Sequence, residues 1–383
     1  MKNVNRYVVL LFFLAVATLP VAALQTTTPE PLRPPNPVCD LAFSPDARLI
    51  AAASDAGNVA LWATDTGTLL HEFDSKNNCP HLIFSTDGET LFALYPGVIG
   101  GEYAETILWD TQTGAELRRF TGRGILSDDQ QLLLTTGPDA PDRLWDITAG
   151  QELSHFDSPL HIGIGGVISP DNTRVLAYNW PQRFPELWDM TSGELLFSFP
   201  EGDSWVGGLQ FLPDNHHALV VYAPDGLALW NLDTLTQEQV FPDAAFGSAL
   251  RLSAAGQPVL SGYRAGFFRT WDVLTGELLQ ETTLTSPLPE ADMVGSQFSH
   301  DGRSFLVVLQ GGIVQVWDVA TGALRYQLTS SADSLVDWDA TATQVVFSPD
   351  DRSILVGYSN EALHLLDAET GTEIRNFLLP SGR

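Results

Sequence analysis

Hydrophobic and polar positions along this chain follow one pattern that recurs eight times. In each copy an apolar strand ends at a polar corner of the Ser-Pro-Asp type, and a later strand ends about 19 residues further on at Trp-Asp or a variant. The last apolar residues before the corners are Phe43, Phe84, Leu126, Ile168, Phe211, Leu252, Phe298 and Phe347. The later strand ends are Trp62, Trp109, Trp145, Trp188, Trp230, Trp271, Trp317 and Leu366. Because the corners recur every 41 to 49 residues, the pattern predicts a radial array of small sheets.

Repeat seven shows what one unit of the array contains. Residues 293–298, 304–309, 313–317 and 323–328 are rich in β-forming side chains, and Gly-containing turns separate them. Four short strands joined by tight turns predict one four-stranded antiparallel blade per repeat.

The third turn of most repeats follows an Asp-x-x-Thr-Gly pattern, with Ala63 and Asn231 in place of the Asp in two of them, and its residue types have a structural reason. An Asp side chain accepts hydrogen bonds from backbone N–H groups just ahead of it, and Gly adopts positive φ at no steric cost. Gly occupies this place in seven repeats, with Leu235 as the exception. We interpret these residues as structural and assign no site to them.

These residues resemble the WD-repeat β-propeller family. The resemblance rests on Phe-Ser-Pro-Asp at 43–46 and 347–350 and on Leu-Trp-Asp at 108–110 and 187–189, and it covers about residues 38–380. It implies an all-β, eight-bladed β-propeller that serves as a docking platform, although the Gly-His pair that usually opens such repeats is missing here. A seven-bladed ring that leaves out repeat three is the alternative. Since the array starts on an innermost strand and ends on an outermost one, we expect blades one and eight to close the ring by face packing.

Loop lengths predict which face of the ring binds. From corner to strand end the spacing is 19 residues in six repeats, 20 in repeat four and 25 in repeat two, whereas from strand end to the next corner it runs from 17 to 30 residues. The first and third turns of an antiparallel blade share one rim, so most length change falls on the other rim, where repeat insertions map to a binding face. The candidate anchors on that variable rim are Tyr103, Trp180, Arg183, Phe184, Trp205 and Trp338. The alternative is that these aromatic side chains fold back over the ring as a plug.

The N-terminus predicts export. Residues 1–23 combine two early basic residues, an apolar run and small residues at 21–23, which is typical of a cleaved signal peptide. A Pro-rich linker at 24–37 follows, and the propeller takes up 38–383. We therefore expect a secreted, periplasmic or cell-surface protein. The apolar run is also long enough to stay as a membrane anchor if it is not cleaved.

Two cysteines follow the leader, and an exported chain can keep a disulfide. Cys39 and Cys79 lie on the first strands of repeats one and two, on opposite sheet faces, which is what a bridge between neighbouring blades requires. Two buried free thiols are the alternative.

A formal charge of −28 argues against nucleic-acid partners, because a surface this acidic repels phosphate backbones. We expect a protein or glycan partner, no cofactor and no metal. The adjacent His216 and His217 make a poor chelate on a strand, and the spacing of Asp333, Asp337 and Asp339 does not match a calcium loop.

Two enzyme classes stay open as alternatives. Eight-bladed quinone-cofactor dehydrogenases carry a similar Asp-x-x-Thr-Gly turn, but the Trp that docks their blades is absent after the turns here. A metal-dependent hydrolase would need polar side chains in the central channel, where Asp40 and His81 are the obvious candidates. Because no catalytic constellation is found, a non-catalytic scaffold is the expected function.

Overall fold

The computed structural model describes residues 37–73, 79–96, 104–137, 140–156, 162–179, 184–200, 205–223, 226–241, 251–252, 258–263, 267–283, 293–309, 313–328 and 342–380. These residues form eight separate antiparallel sheets, each of four strands that are consecutive along the chain. Each sheet corresponds to one sequence repeat. The eight-bladed prediction is therefore confirmed, and the seven-bladed alternative is wrong, since repeat three builds a complete sheet. None of the described residues belongs to a helix of the length and apolarity that a membrane span requires.

The strands of blades one to four are β1 (Val38–Phe43), β2 (Leu49–Ser54), β3 (Val59–Ala63), β4 (Leu69–Phe73), β5 (His81–Phe84), β6 (Thr90–Tyr95), β7 (Glu105–Asp110), β8 (Glu116–Thr121), β9 (Arg123–Leu126), β10 (Leu132–Gly137), β11 (Ala140–Asp146), β12 (Gln151–Phe156), β13 (Ile162–Ile168), β14 (Arg174–Asn179), β15 (Pro185–Asp189) and β16 (Leu195–Ser198). The strands of blades five to eight are β17 (Trp205–Phe211), β18 (His217–Ala223), β19 (Gly226–Asn231), β20 (Thr236–Phe241), β21 (Arg251–Leu252), β22 (Pro258–Tyr263), β23 (Phe267–Asp272), β24 (Leu278–Thr283), β25 (Met293–Phe298), β26 (Ser304–Leu309), β27 (Ile313–Asp318), β28 (Leu324–Leu328), β29 (Ala342–Phe347), β30 (Ser353–Tyr358), β31 (Ala362–Asp367) and β32 (Glu373–Leu378).

The first strand of each blade is the innermost one. Neighbouring first strands lie side by side around the axis: β1 beside β5 and β29, β13 beside β9 and β17, and β25 beside β21 and β29. The second and third strands are buried almost throughout, as β26 and β27 show, whereas the fourth strand exposes most of its side chains. A closed ring of face-packed sheets produces this gradient, because the neighbouring blades cover both faces of the second and third strands and cover the outermost strand least.

The core consists of layers between blades. One layer joins Ala51 and Leu61 of blade one to Leu82 and Trp109 of blade two. Within these layers a recurring pair packs a Phe, which lies within one residue of the end of the outermost strand, against the Trp that is the last-but-one residue of the third strand in the next blade. The pairs are Phe73–Trp109, Phe120–Trp145, Phe199–Trp230, Phe241–Trp271 and Phe377–Trp62, with ring centroids 4.4 to 6.0 Å apart.

Blade eight departs from this pair in a compensated way. Leu366 takes the place of the Trp, and Leu328 of blade seven takes the place of the Phe, within one apolar cluster. Both aromatic residues of the pair are replaced by leucine, and the two leucines still lie in one apolar cluster between the blades.

The ring closes by face packing between blades eight and one, as the order of strands predicted. Val38 and Trp62 of blade one share an apolar cluster with Leu355 and Phe377 of blade eight. Polar bonds cross the same interface: the Arg375 guanidinium donates to the carbonyls of Asp65 and Thr66 at 2.7 and 2.9 Å. No strand is exchanged, since β1 to β4 and β29 to β32 form two separate sheets.

The outermost strand carries a β-bulge in every blade. The bulge lies opposite the step on the third strand between the repeat's Trp, or Leu366 in blade eight, and the residue before it. The extra residues at the bulges are Leu70, Leu117, Leu153, Leu196, Glu238, Leu279, Arg325 and Ile374. A bulge breaks the ladder at a free edge, so it opposes edge-to-edge association of rings.

The closing interface makes a direct prediction. Phe377→Ala removes a side chain that is 7% exposed and stacks edge-on with Trp62, so we expect a loss of about 3 kcal/mol in the free energy of unfolding. Ile374→Ala on the same strand removes a side chain that is 51% exposed, so its effect should stay within about 0.5 kcal/mol. Urea unfolding curves compare the two variants. Equal losses would contradict the role given to the aromatic pair.

Candidate functional site

The two repeated motifs share one rim of the ring, here called the motif rim. Within a blade the backbone following the first corner bonds to the backbone of the third turn: Thr64 N–H donates to Arg48 O at 2.8 Å, and Ala368 N–H donates to Arg352 O at 2.9 Å. The second turns and the connections between blades lie at the opposite ends of the strands. We call that end the variable rim.

Each Ser-Pro-Asp corner is a closed hydrogen-bonded unit. In blade one, Ser44 Oγ donates to Asp46 Oδ1 at 2.7 Å and accepts from Leu49 N–H at 2.9 Å. The hydrogen bond from Ser44 lowers the pKa of Asp46 below its usual value. The same Ser–Asp bond recurs at Ser85–Asp87, Ser127–Asp129, Ser169–Asp171, Ser299–Asp301 and Ser348–Asp350. These serines complete the turns of the corners.

The corner residue after this Asp reaches across to the preceding blade. Gln130, Asn172, Asn215 and Asp351 hold positive φ there, a conformation that Gly, Asn and Asp tolerate best. Asp351 accepts the N–H groups of His300 and Asp301 at 2.8 and 2.9 Å, and Gln130 accepts Thr86 N–H at 2.8 Å. Sequence reasoning missed this cap. Its signal is a residue with an amide or carboxylate side chain four places after the apolar residue of the corner.

The third turns are closed in the same manner. Asp110 Oδ1 accepts the N–H and the hydroxyl of Thr113 at 2.7 and 2.8 Å, and the backbone bond lowers the pKa of Asp110. A fourth-strand side chain of the preceding blade then covers the turn. His71 bonds Gln112 O at 3.0 Å. Arg118 donates to Thr148 O and Tyr326 donates to Ala368 O, both at 2.9 Å.

Leu235, which replaces the turn Gly in blade five, has a matched neighbour. The residue of blade four that corresponds to His71 and Arg118 is Phe197, and Phe197 and Leu235 belong to one apolar cluster with Phe199 and Trp230. An apolar side chain at positive φ is strained, but here it gains a covered apolar contact.

The predicted anchors of the variable rim fall largely outside the described residues. Tyr103, Trp180, Arg183 and Trp338 lie there, as do the acidic residues Asp333, Asp337 and Asp339 and the predicted leader. Trp205 is the first residue of β17, opposite Ala223, and Phe184 is half-buried directly before β15. Their assembly into one docking face stays a prediction.

His216 and His217 do not converge on a common point. His216 Nδ1 lies 2.7 Å from Asp233 Oδ2, whereas His217 Nδ1 lies 2.6 Å from Asp214 Oδ2 and its Nε2 lies 3.2 Å from Glu238 Oε2. Each imidazole thus contacts its own carboxylates on the motif rim.

Asp40 and His81 meet on the innermost strands of blades one and two. His81 Nδ1 lies 2.9 Å from Asp40 Oδ2, which also accepts Leu82 N–H at 2.6 Å. The hydrogen bond to Asp40 raises the pKa of His81 above its usual value. The His81 side chain is 67% exposed and that of Asp40 19% exposed. The carboxylate therefore orients an imidazole that faces solvent.

A disulfide adjoins this pair. Cys39 and Cys79 are bonded across blades one and two, with Cα atoms 6.2 Å apart. Among the described residues, the group of three potential metal ligands is Cys39, Asp55 and Cys79, and the disulfide occupies two of the three. The covalent bond therefore leaves no thiolate there for a metal ion.

Removing this bond should lower stability. The disulfide joins residues 40 positions apart, and a cross-link that closes a loop of this length restricts the unfolded chain by about 4 kcal/mol at most. We expect Cys39→Ser/Cys79→Ser to unfold at lower urea concentration and to be insensitive to reductant. The wild-type protein in reductant should match the variant. A wild-type urea midpoint unchanged by reductant would contradict this prediction.

Comparisons with known proteins agree on the architecture. A model of "WD domain, G-beta repeat" matches residues 30–63. A guanine nucleotide-binding protein subunit beta from Zea mays is 24% identical over 298 residues, which cover 70% of this chain and 73% of that protein. The crystal structure of the C-terminal WD40 domain of Sif2 superposes with a TM-score of 0.68 at 17% identity, covering 86% of this chain and 95% of that one. The computationally designed Ika8 protein superposes with a TM-score of 0.63 at 19% identity, covering 90% and 96%.

Proposed function

We propose that this chain is a member of the WD-repeat β-propeller family and serves as an exported, non-catalytic platform that docks a protein or glycan partner on its variable rim. Propellers of this family typically serve as scaffolds for protein interactions. The partner class, the docking rim and the export are the parts of the proposal that need tests.

The observation that carries the proposal is how the motif rim uses its polar groups. Corner carboxylates bind the hydroxyl and backbone groups of their own corner, and Gln130, Asn172, Asn215 and Asp351 bind the preceding blade. Fourth-strand side chains cover the third turns. These bonds hold the ring together, so a partner that competed for them would weaken the fold. The loops of the variable rim differ in length between repeats, so they can change in sequence to fit a partner without breaking these bonds.

The disulfide supports the proposed export. A structural disulfide persists in oxidising compartments, and the chain combines one with an N-terminal run typical of a signal peptide. The two features are independent, because the bond lies between blades and the run precedes the propeller.

Export predicts a processed N-terminus. When the full chain is expressed in a secreting host, we expect N-terminal sequencing to find a mature protein that begins near Leu24, outside the cytosol. A chain that keeps Met1 and fractionates with membranes would show an uncleaved anchor instead. A chain that keeps Met1 in the cytosol would overturn the export.

The docking rim is tested by matched substitutions. We expect Trp180→Ala, Trp205→Ala and Trp338→Ala to reduce capture of a partner from the native envelope fraction by at least about tenfold in one or more variants, because buried aromatic anchors dominate interfaces. Leu274→Ala and Leu279→Ala, which remove exposed side chains of blade six near the motif rim, should leave capture unchanged. Unchanged capture in every variable-rim variant, including Tyr103→Ala, would refute the assignment. Elemental analysis and an absorption spectrum of the purified protein test the metal and quinone enzymes separately.

A further inference from the structure

Three side chains of metal-binding type meet between blades one and two. Cys39 lies on β1, Asp55 directly follows β2, and Cys79 lies two residues before β5. The two Sγ atoms and a carboxylate oxygen of Asp55 all lie within 4.8 Å of one another. Because three separate segments of the chain supply these side chains, it is the packing of the two blades that brings them together.

The second turn of blade one fixes the backbone of Asp55. Asp55 N–H donates to Pro37 O at 3.0 Å, and Gly57 N–H donates to Ser54 O at 2.7 Å. Gly57 has a φ of 85°, a conformation that glycine adopts without steric cost. The bond to Pro37 ties the turn to the segment that enters β1, so it keeps the Asp55 backbone close to Cys39.

Solvent reaches all three side chains. Cys39 and Cys79 are half-buried, and Asp55 is exposed. The group lies at the variable rim, where second turns and the starts of first strands are found. Since the chain has a net charge of −28, its surface attracts cations. A small reductant and a metal ion therefore both have access to this place.

The donor set suits zinc once the disulfide is reduced. Zn²⁺ accepts two thiolates and a carboxylate, whereas Cu⁺ prefers sulfur ligands. Around a tetrahedral zinc ion with Zn–S bonds of about 2.3 Å, two sulfurs lie about 3.8 Å apart. The Cα atoms of Cys39 and Cys79 are 6.2 Å apart, so rotation about their Cα–Cβ bonds allows this separation while the strands keep their places. Three protein ligands leave the fourth position to water.

We propose that Cys39, Cys79 and Asp55 form a redox-gated zinc site on the variable rim. A dithiol gives two electrons and two protons to the disulfide, whose S–S bond breaks to leave two thiols, and the dithiol itself becomes a disulfide. Zn²⁺ then binds both sulfurs as thiolates and displaces two protons to solvent. The metal ion thereby replaces the covalent bond as the link between blades one and two. This inference goes beyond the docking function, because it requires no partner.

The first test compares the two redox states of the purified chain. After reduction with dithiothreitol and desalting under nitrogen, we expect the chain to bind one Zn²⁺ in competition with a chromophoric zinc indicator. The oxidised chain should bind none in the same assay. Co²⁺ in place of Zn²⁺ should give the reduced chain a sulfur-to-cobalt charge-transfer band and the visible bands of a tetrahedral site.

The second test uses matched variants. Asp55→Asn should weaken zinc binding by at least about tenfold, since even outer-shell partners of a metal site cost this much when they are mutated. Asp65→Asn removes an exposed carboxylate from the third turn of the same blade, on the motif rim, and should leave the zinc affinity unchanged. Zn²⁺ should raise the urea midpoint of the reduced wild-type chain above its metal-free value, and it should not change that of Cys39→Ser/Cys79→Ser.

Four outcomes would overturn the proposal. Equal zinc binding by the oxidised and reduced chains would show that the sulfurs are not ligands. A reduced chain without stoichiometric zinc would show that there is no site. Unchanged affinity in Asp55→Asn would remove the carboxylate from the site, and equal losses in Asp55→Asn and Asp65→Asn would show general attraction to an acidic surface. The comparison of redox states uses the unchanged sequence, so it decides the question even if a variant fails to fold.

Discussion

The whole ring depends on the contact between the outermost strand of one blade and the third strand of the next. A Phe within one residue of the end of a fourth strand packs on the Trp of the next blade, as Phe73 does on Trp109. Aromatic pairs of this kind add specific geometry to apolar burial. This Phe–Trp contact recurs at five interfaces between blades, including the one that closes the ring at Phe377 and Trp62. A single sheet could not bury these faces alone.

Polar bonds on the motif rim then fix the angle between blades. The apolar layers are non-directional, whereas the caps from Asp351 to the His300 corner and from Arg375 to the blade-one turn have defined geometry. The apolar layers and the polar bonds therefore give the two rims different roles. Residues on the motif rim are held by the ring, and loops on the variable rim can change length without disturbing the layers. This division explains why the corner-to-Trp spacing is nearly constant while the return connections vary.

Much of this fold was predictable from the sequence, because the interactions that define a blade are local. The Ser–Asp corner and the Asp-x-x-Thr-Gly turn are closed by residues two to five positions apart, so they leave a motif. The interactions between blades were harder to predict. Gln130 and Thr86 are 44 residues apart, and the capping position holds Gln, Asn or Asp in different repeats, so it does not form a recognisable motif. The leucine pair Leu328–Leu366 and the pair Phe197–Leu235 show the same limit, since each substitution makes sense only beside its neighbour in another repeat. The bridge between Cys39 and Cys79 has the same limit, because a sequence indicates the sheet face of each cysteine but not the separation of their Cα atoms.

The first two blades differ from the rest in a way that bears on function. An ideal eightfold ring would carry equivalent side chains around its channel, and a symmetric lining has no preferred direction for a ligand. Here Asp40 and His81 form a pair between blades one and two, and the disulfide fixes the same two strands directly beside it. Glycines at Gly208 and Gly295 remove side chains from two of the blades that complete the ring. Side chains therefore differ around the ring at this register of the first strands. The disulfide limits the relative motion of the two strands that carry Asp40 and His81, so it helps to keep the carboxylate and the imidazole in contact.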